Sequence, residues 1–154
     1  MGEVLFYHLT TRPLEQAAPA ILEKCVERAW KVTIRCGSPE RVAALDRHLW
    51  TYRDEGFLPH GVAGADNADR QPIYITAGEE KPNVPEILFL VDGATSTVDE
   101  MSTHMRTLLM FDGHDEDAVA DARKIWKSVA ESSLKAIYWA QNDEGGWAKR
   151  AESG

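Results

Sequence analysis

The sequence is short of positive charge and of cysteine. Its 17 Lys and Arg residues stand against 25 Asp and Glu residues, so the formal net charge is −8. As a whole such a chain repels nucleic-acid phosphates, which disfavours direct, non-specific DNA binding but is compatible with a small basic patch for an acidic peptide. Cys25 and Cys36 lie apart in apolar surroundings. The simplest interpretation is two buried free thiols in a reducing cytosol, without a structural disulfide.

Long hydrophobic runs are also absent. No apolar segment approaches the roughly 20 residues that a membrane span needs. Residues 1–8 contain an acid and no basic region, so they do not have the pattern of a secretory signal. The length of 154 residues suits one domain. We therefore expect a single cytoplasmic domain that makes no membrane contact.

The usual signatures of nucleotide, metal and nucleophile chemistry are missing as well. Residues 9–13, after the first predicted strand, contain no glycine, and neither a Gly-x-Gly-x-x-Gly turn nor a phosphate loop occurs. The five histidines are scattered singly, and the two cysteines are not spaced for zinc. We therefore expect no cofactor, no metal and no catalytic residue. The alternative is a small nucleotide-dependent or nucleic-acid-processing α/β enzyme, weakly indicated by the apolar strand that ends in Asp92.

Strand patterns alternate with helix patterns along the chain. Apolar and β-branched runs predict strands over residues 3–8, 31–36, 72–76, 86–93 and 105–111. Helical spacing predicts helices over residues 14–30, 38–50 and 114–140, the last with a candidate break at Ser132-Ser133. This order predicts a three-layer α/β domain over residues 1–140, with a mainly parallel sheet of about five strands and a long C-terminal helix. Residues 141–154 are polar and glycine-rich, and we expect a flexible tail there.

Large apolar groups follow the predicted end of the second helix. Pro59 restricts Leu58 to extended geometry, so the helix that ends near Trp50 cannot continue there. Apolar side chains on an extended loop beside a tryptophan favour a protein-docking segment made of Trp50, Phe57, Leu58, Pro59 and His60. The alternative is a satellite core beneath a long loop, in which His60 is a hydrogen-bonding loop residue.

The last predicted helix carries a second candidate site. Arg123, Trp126 and Lys127 are spaced i, i+3 and i+4, so a guanidinium, an indole and an ammonium share one helix face. Arginine pairs with carboxylates, and an indole offers an apolar wall for an aromatic side chain. The face therefore suits an acidic peptide that ends in an aromatic residue. The alternative is that Trp126 packs in the core while the two cations extend around it.

Taken together, these motifs resemble the chi subunit family of bacterial DNA polymerase III, an accessory subunit of the clamp loader. The resemblance covers roughly residues 3–140, and only the segment from Trp50 to His60 is distinctive, the remainder being order and spacing. The matching segments are residues 6–9 (FYHL), Leu45-Asp46-x-x-Leu49-Trp50, residues 57–60 (FLPH) with Ala63-Gly64 after them, the strand 87–91 and Ala122-Arg123-x-x-Trp126-Lys127.

The resemblance implies a Rossmann-like fold that binds no nucleotide and a non-enzymatic role in replication. It implies pairing with the psi subunit, which tethers the protein to the clamp loader, and binding of the acidic C-terminal tail of single-stranded DNA-binding protein, which ends in Pro-Phe. Arg123 fits the family's tail-binding arginine, Trp126 falls where the family has an aromatic residue, and Lys127 is its basic neighbour. The segment from Trp50 to His60 falls on the surface used against the psi subunit or a helicase.

The chain departs from the family pattern at two places. Val119 stands where a basic residue is expected one turn before Arg123, which weakens the charge complement for an acidic tail. Lys124 is a candidate substitute, although it points about 100° around the helix from Arg123. The segment after Gln141 is longer than the family's usual end, and Trp147 is its one large apolar residue.

Overall fold

The computed structural model describes residues 2–51, 60–62, 67–144 and 146–153, and the side chain of Trp50 is not among the described parts. In chain order the elements are β1 (Glu3–Leu9), α1 (Leu14–Glu27), β2 (Val32–Cys36), α2 (Pro39–Thr51), β3 (Gly61–Val62), a 3-10 turn (Ala68–Arg70), β4 (Ile73–Thr76), β5 (Ile87–Val91), α3 (Val98–Ser102), β6 (Arg106–Asp112), α4 (Glu116–Ala130), β7 (Lys135–Gln141) and β8 (Trp147–Ser153).

The strands form one sheet in the order β3-β4-β2-β5-β6-β1-β7-β8. Every neighbouring pair in the described part is parallel except β7 and β8, which are antiparallel. The α/β class and the mainly parallel sheet are therefore confirmed. The sheet has eight strands instead of about five, because the short β3 and the two C-terminal strands were not predicted.

Helices cover both faces of this sheet. Leu5 and Leu9 of β1 point into a core that contains Leu22 of α1 and Leu45 of α2. Alternate β1 residues, represented by Phe6, point into a second core that is shared with α3 and α4. Central strands buried on both faces explain the continuous apolar runs in the sequence, of which β5 (ILFLV) is fully buried. The sheet lies between two helical layers.

Local sequence signals account for the helix starts. Ser38 Oγ accepts a hydrogen bond from the Arg41 N–H at 3.2 Å, as expected for a capping serine before Pro39. Asp115 caps α4 by accepting bonds from the Asp117 and Ala118 N–H groups. Helix α1 begins directly after Pro13 and continues through Pro19, which is buried within it. Pro19 therefore neither delays nor interrupts α1, whose start agrees with the predicted helix from residue 14.

The C-terminal third differs from the sequence prediction. Helix α4 ends at Ala130, and Lys135–Gln141 is a strand instead of the end of a long helix. Ser132 Oγ ends the helix locally, because it donates to the Val129 carbonyl and accepts from the Leu134 N–H. The expected flexible tail contains β8, which pairs with β7 and places Trp147 on Tyr7 with ring centroids 5.0 Å apart. Its polar composition reflects an edge strand.

A buried ion pair ties β2 to the neighbouring elements. Arg35, which is 5% exposed, donates from Nη1 and Nη2 to the two Glu100 carboxylate oxygens at 2.8 Å each. Its remaining N–H groups reach the carbonyl oxygens of Gly78, Glu79 and Thr95. The Arg35 hydrogen bonds hold the pKa of Glu100 well below its usual range, so the carboxylate stays ionised. This network fixes the turn after β4 and helix α3 against the sheet.

Substituting Glu100→Gln is expected to lower the free energy of unfolding by about 3 kcal/mol at pH 7, since it leaves the Arg35 charge buried without a counter-charge. Because the Glu100 pKa is depressed in the folded state, this contribution is present above the ordinary carboxyl pKa and is lost as the pH falls below about 4. Urea unfolding at pH 7 and pH 3 measures both effects. Asp99→Asn, on the exposed side of the same helix, is the control and should change stability by less than about 0.5 kcal/mol. Equal losses in the two variants would contradict the assignment.

Candidate functional site

The exposed face of α4 carries the three residues that the sequence singled out. Arg123 and Lys127 are exposed, and Trp126 is half-buried. The Trp126 ring makes edge contacts with Phe6 and Tyr138, with centroid distances of 5.2 and 5.8 Å. Trp126 therefore packs on the core, as one of the two interpretations expected, while part of its indole stays at the surface. An indole held in this way loses little conformational freedom when a ligand packs against it.

Trp126 belongs to a group of rings that we call the aromatic cluster: Phe6, His8, Phe111, Trp126 and Tyr138. Within it, His8 Nδ1 and the Tyr138 hydroxyl are hydrogen-bonded at 2.7 Å. The His8 ring also meets Phe111 edge-on, at a centroid distance of 5.1 Å. Adjacent strands β1, β6 and β7 supply four of the rings and α4 supplies the fifth. The cluster joins the buried rings of Phe6 and Phe111 to the partly exposed Trp126 and Tyr138, with one polar pair inside it.

The Arg123 charge acts on this polar pair. Burial lowers the pKa of His8 below its usual value, and the positive charges of His114 and Arg123 lower it further. Burial raises the pKa of Tyr138, with the Arg123 charge partly opposing that change. His8 is therefore neutral at physiological pH, and Arg123 supplies a permanent positive charge beside the cluster. A guanidinium next to exposed ring surface can pair with a carboxylate while an adjacent apolar group packs on the rings.

Sequence reasoning missed His8 and Tyr138 as members of this site. His8 was counted only as one of five scattered histidines, and Tyr138 fell in the segment that helical spacing assigned to α4. The signal that identifies them is alternation: Phe6 and His8, like Ala136 and Tyr138, lie two apart on strands and share one sheet face. That signal is usable only once residues 135–141 are recognised as a strand.

The second predicted segment is only partly placed. Phe57, Leu58 and Pro59 lie outside the described residues, and of Trp50 only its position in the last turn of α2 is described. The His60 side chain is fully buried, and its Nε2 lies 2.9 Å from Asp46 Oδ1 of α2. His60 therefore attaches the end of this segment to α2, as a hydrogen-bonding residue of the kind that the alternative interpretation expected.

A cleft of about 610 Å³ lies at the carboxyl ends of β1, β5 and β6, which is where α/β domains commonly bind ligands. Arg41 in its wall is already paired with Glu15 and lies 3.9 Å from Asp92. Acidic side chains outnumber the two arginines, Arg12 and Arg41, that line it. The acids are Glu15, Asp92, Asp112, Asp115, Asp117 and Asp121. This charge disfavours a nucleotide polyphosphate in the cleft.

The two cysteine thiols in the described part of the chain are buried in the core. Burial raises the pKa of the Cys25 thiol and raises that of Cys36 to about 12, so neither is a reactive thiolate at neutral pH.

Among the described residues, no group of three or more His, Cys, Asp or Glu side chains is placed to hold a metal ion. In the same residues, no helix is both long and apolar enough to cross a bilayer.

Comparison with known proteins gives consistent matches. The family model described as "DNA polymerase III chi subunit, HolC" matches residues 1–136. The probable DNA polymerase III subunit chi of Rickettsia prowazekii is 30% identical over 91 residues, which are 59% of this chain and 55% of that protein. The DNA polymerase III subunit chi of Pseudomonas aeruginosa is 30% identical over 73 residues, 47% of this chain and 50% of that protein. The chain thus spans about half the length of the curated relatives it matches.

Substituting Arg123→Gln is expected to raise the pKa of His8, because it removes a positive charge that disfavours the imidazolium. Burial remains, so the pKa should stay below the ordinary histidine value. An NMR titration of the His8 imidazole signals measures this change. Lys124→Gln removes the same charge from a neighbouring exposed position and should leave His8 unaffected. An unchanged His8 titration in the Arg123 variant would show that Arg123 does not face the cluster.

Proposed function

The chain belongs to the DNA polymerase III chi subunit family, and on that premise we propose that it is a non-enzymatic accessory subunit of the replicative polymerase. In this role it links the clamp loader, through a psi subunit, to the acidic C-terminal tail of single-stranded DNA-binding protein. The observation that carries the proposal is the half-buried Trp126 with exposed Arg123 and Lys127 on the same face of α4.

The charge distribution favours a local anion site on α4. The whole chain carries a net charge of −8, which repels an acidic tail at long range. Arg123, Lys124 and Lys127 place three exposed cations within two turns of α4, so this helix can attract an acidic segment locally. Salt screening weakens attraction of this kind. Binding of the tail should therefore be weak and sensitive to ionic strength, which suits a contact that is repeatedly made and released.

Apolar contact supplies the remaining affinity. Exposed ion pairs contribute only about 0.2–1 kcal/mol each, so three of them do not hold a peptide on their own. In this proposal the terminal Phe of the tail packs on the exposed part of Trp126 while a tail carboxylate pairs with Arg123. Val119, one turn before Arg123, is itself packed against the second core and offers no charge. Tail binding here should be weaker than in a relative with a basic residue at that position.

The segment from Trp50 to His60 is the proposed surface for the psi subunit or, alternatively, a helicase. Helix α2 carries Trp50 at its end, and the His60–Asp46 contact returns the chain to the same helix. Phe57, Leu58 and Pro59, which lie outside the described residues, belong to the proposed surface on the resemblance alone. In this proposal the psi surface adjoins α2, which covers the face of the sheet opposite to α4.

Arg123→Ala is expected to weaken binding of a labelled acidic peptide ending in Asp-Ile-Pro-Phe by up to about fivefold, since it removes one exposed ion pair. Fluorescence anisotropy at low and moderate salt measures the dissociation constant. Trp126→Ala removes the apolar wall and should abolish saturable binding. Circular dichroism checks that this variant folds.

Arg150→Ala is the matched control, because it removes one exposed positive charge from β8, away from α4. It should leave the affinity within about twofold of the unsubstituted protein. If the Arg123 and Arg150 variants weakened peptide binding equally, the effect would reflect only the net charge of the protein. Absence of binding by the unsubstituted protein would remove the tail-binding proposal.

Phe57→Ala is expected to abolish co-purification with a co-expressed psi subunit, because it removes a large apolar contact, and to leave tail-peptide binding intact. Arg123→Ala should have the reverse effects. Affinity co-purification and anisotropy on the same preparations measure both properties. A Phe57 variant that retains psi but loses the peptide would contradict the assignment of the two surfaces.

A further inference from the structure

A second, smaller pocket lies on the face of the sheet opposite to α4. Its volume is about 160 Å³, and β1 and β6 form its floor with Leu5, Tyr7 and Leu108. Ile21 of α1 and Trp147 of β8 line its sides. We call it the α1–β8 pocket. It is independent of the proposed tail site, since Arg123 and Trp126 do not line it.

Three cations surround this apolar opening. Lys24 lies on the exposed side of α1, the exposed Arg28 is the residue that caps the C-terminal end of α1, and Arg106 begins β6. The Arg28 and Arg106 guanidiniums lie 5.0 and 5.1 Å from the centre of the Trp30 ring, so one indole contacts both. Glu3 pairs with Arg106 Nε at 2.7 Å, and the Arg106 side chain remains 34% exposed. Positive charge is thus concentrated here on a chain whose net charge is −8.

The size of the pocket limits what it can hold. Pockets for drug-sized ligands and cofactors occupy roughly 300–1,000 Å³, so a cavity of about 160 Å³ accommodates little more than one side chain. An apolar interior with a cationic rim complements an apolar side chain that has carboxylates on either side of it. Interfaces commonly use a single large residue in a pocket as their anchor, with charged groups around it.

Strand β8, in the C-terminal segment, contributes Trp147 to the lining of this pocket. Trp147 lies beyond residues 1–136, the part of the chain that matches the family model. Its ring meets Tyr7 edge-on at 5.0 Å, which seats β8 against the same core face as α1. The segment that the sequence predicted to be a flexible tail therefore contributes Trp147 to the lining of this pocket.

We propose that the α1–β8 pocket binds an acidic segment of a partner protein, through one aromatic anchor residue in the pocket and flanking carboxylates on Arg28 and Arg106. Lys24 extends the cationic rim along α1 toward the next acidic residue of the segment. Binding at this site requires nothing of Arg123 or Trp126. The protein then has contact surfaces on both faces of its sheet in addition to the segment after α2.

The probe is a capped peptide, Asp-Asp-Phe-Asp-Asp, titrated into the full-length ¹⁵N-labelled protein. The indole N–H signals of Trp30 and Trp147 report on this pocket, and that of Trp126 reports on α4. We expect saturable shifts at Trp30 and Trp147 that persist in Arg123→Ala. Arg28→Gln, an exposed substitution, should weaken the affinity measured from these shifts by up to about fivefold, whereas Arg150→Gln should not.

Two control peptides separate the contributions of anchor and charge. Replacing the Phe with Gly should remove the shifts, and replacing the four Asp residues with Asn should weaken binding at least as much as Arg28→Gln does. Shifts confined to Trp126, no shift at Trp30 and Trp147 at millimolar peptide, or equal binding of the Asn peptide would each overturn the proposal. If the peptide ending in Asp-Ile-Pro-Phe failed to shift the Trp126 signal while Asp-Asp-Phe-Asp-Asp still shifted those of Trp30 and Trp147, only the proposed function would be contradicted.

Discussion

Strand β1 lies between β6 and β7, and its side chains alternate between two hydrophobic cores. Phe6 and His8 point toward α4, whereas Leu5, Tyr7 and Leu9 point toward α1 and α2. Because the period of a strand is two residues, a shift of one residue in register would exchange these sets and bury His8 with α1. The parallel pairing of Phe6 with Tyr138 and of Tyr7 with Trp139 therefore organises both faces at once. The α4 site and the α1–β8 pocket are consequences of one alternation.

The same rings stabilise the fold and form the candidate α4 site. Trp126 contacts Phe6 and Tyr138, and it is also the apolar wall that a peptide would meet. A ring held by two neighbours presents a rigid surface, which lowers the entropic cost of binding. Substitution of Trp126 consequently affects stability and recognition together. Because Arg123 is exposed, its substitution is expected to change peptide binding with little effect on stability.

The placement of cations separates arginines with a structural role from those with a proposed recognition role. Arg35 is buried and its N–H groups are directed at Glu100 and nearby carbonyls, so the network holds elements together. Arg123 and Arg28 are exposed beside half-buried tryptophans, where a guanidinium remains available to a carboxylate. Arg106 is intermediate, because Glu3 engages its Nε while the side chain stays partly exposed. On an acidic chain, an anionic partner is attracted mainly to the surfaces that carry such clusters of cations.

Local sequence signals were sufficient for the α/β class, the mainly parallel sheet and several helix starts. The predicted helix from residue 38 and the predicted strand at the apolar run 86–93 depend on neighbouring residues and on burial, and α2 and β5 confirm both. The C-terminal third was misassigned because the short apolar run at residues 136–140 satisfies helix and strand patterns equally. Only pairing with β1 and β8 selects the strand.

The candidate sites divide in the same way. Arg123, Trp126 and Lys127 share a helix face through spacing of three and four residues, which any reader of the chain can recognise. Their neighbours His8 and Tyr138, 130 positions apart, meet only through the register of β1 with β7. Trp147 likewise reaches Tyr7 only through the antiparallel return of β8. Helix faces follow from a period along the chain, whereas contacts across a sheet depend on long-range pairing that has no local signature.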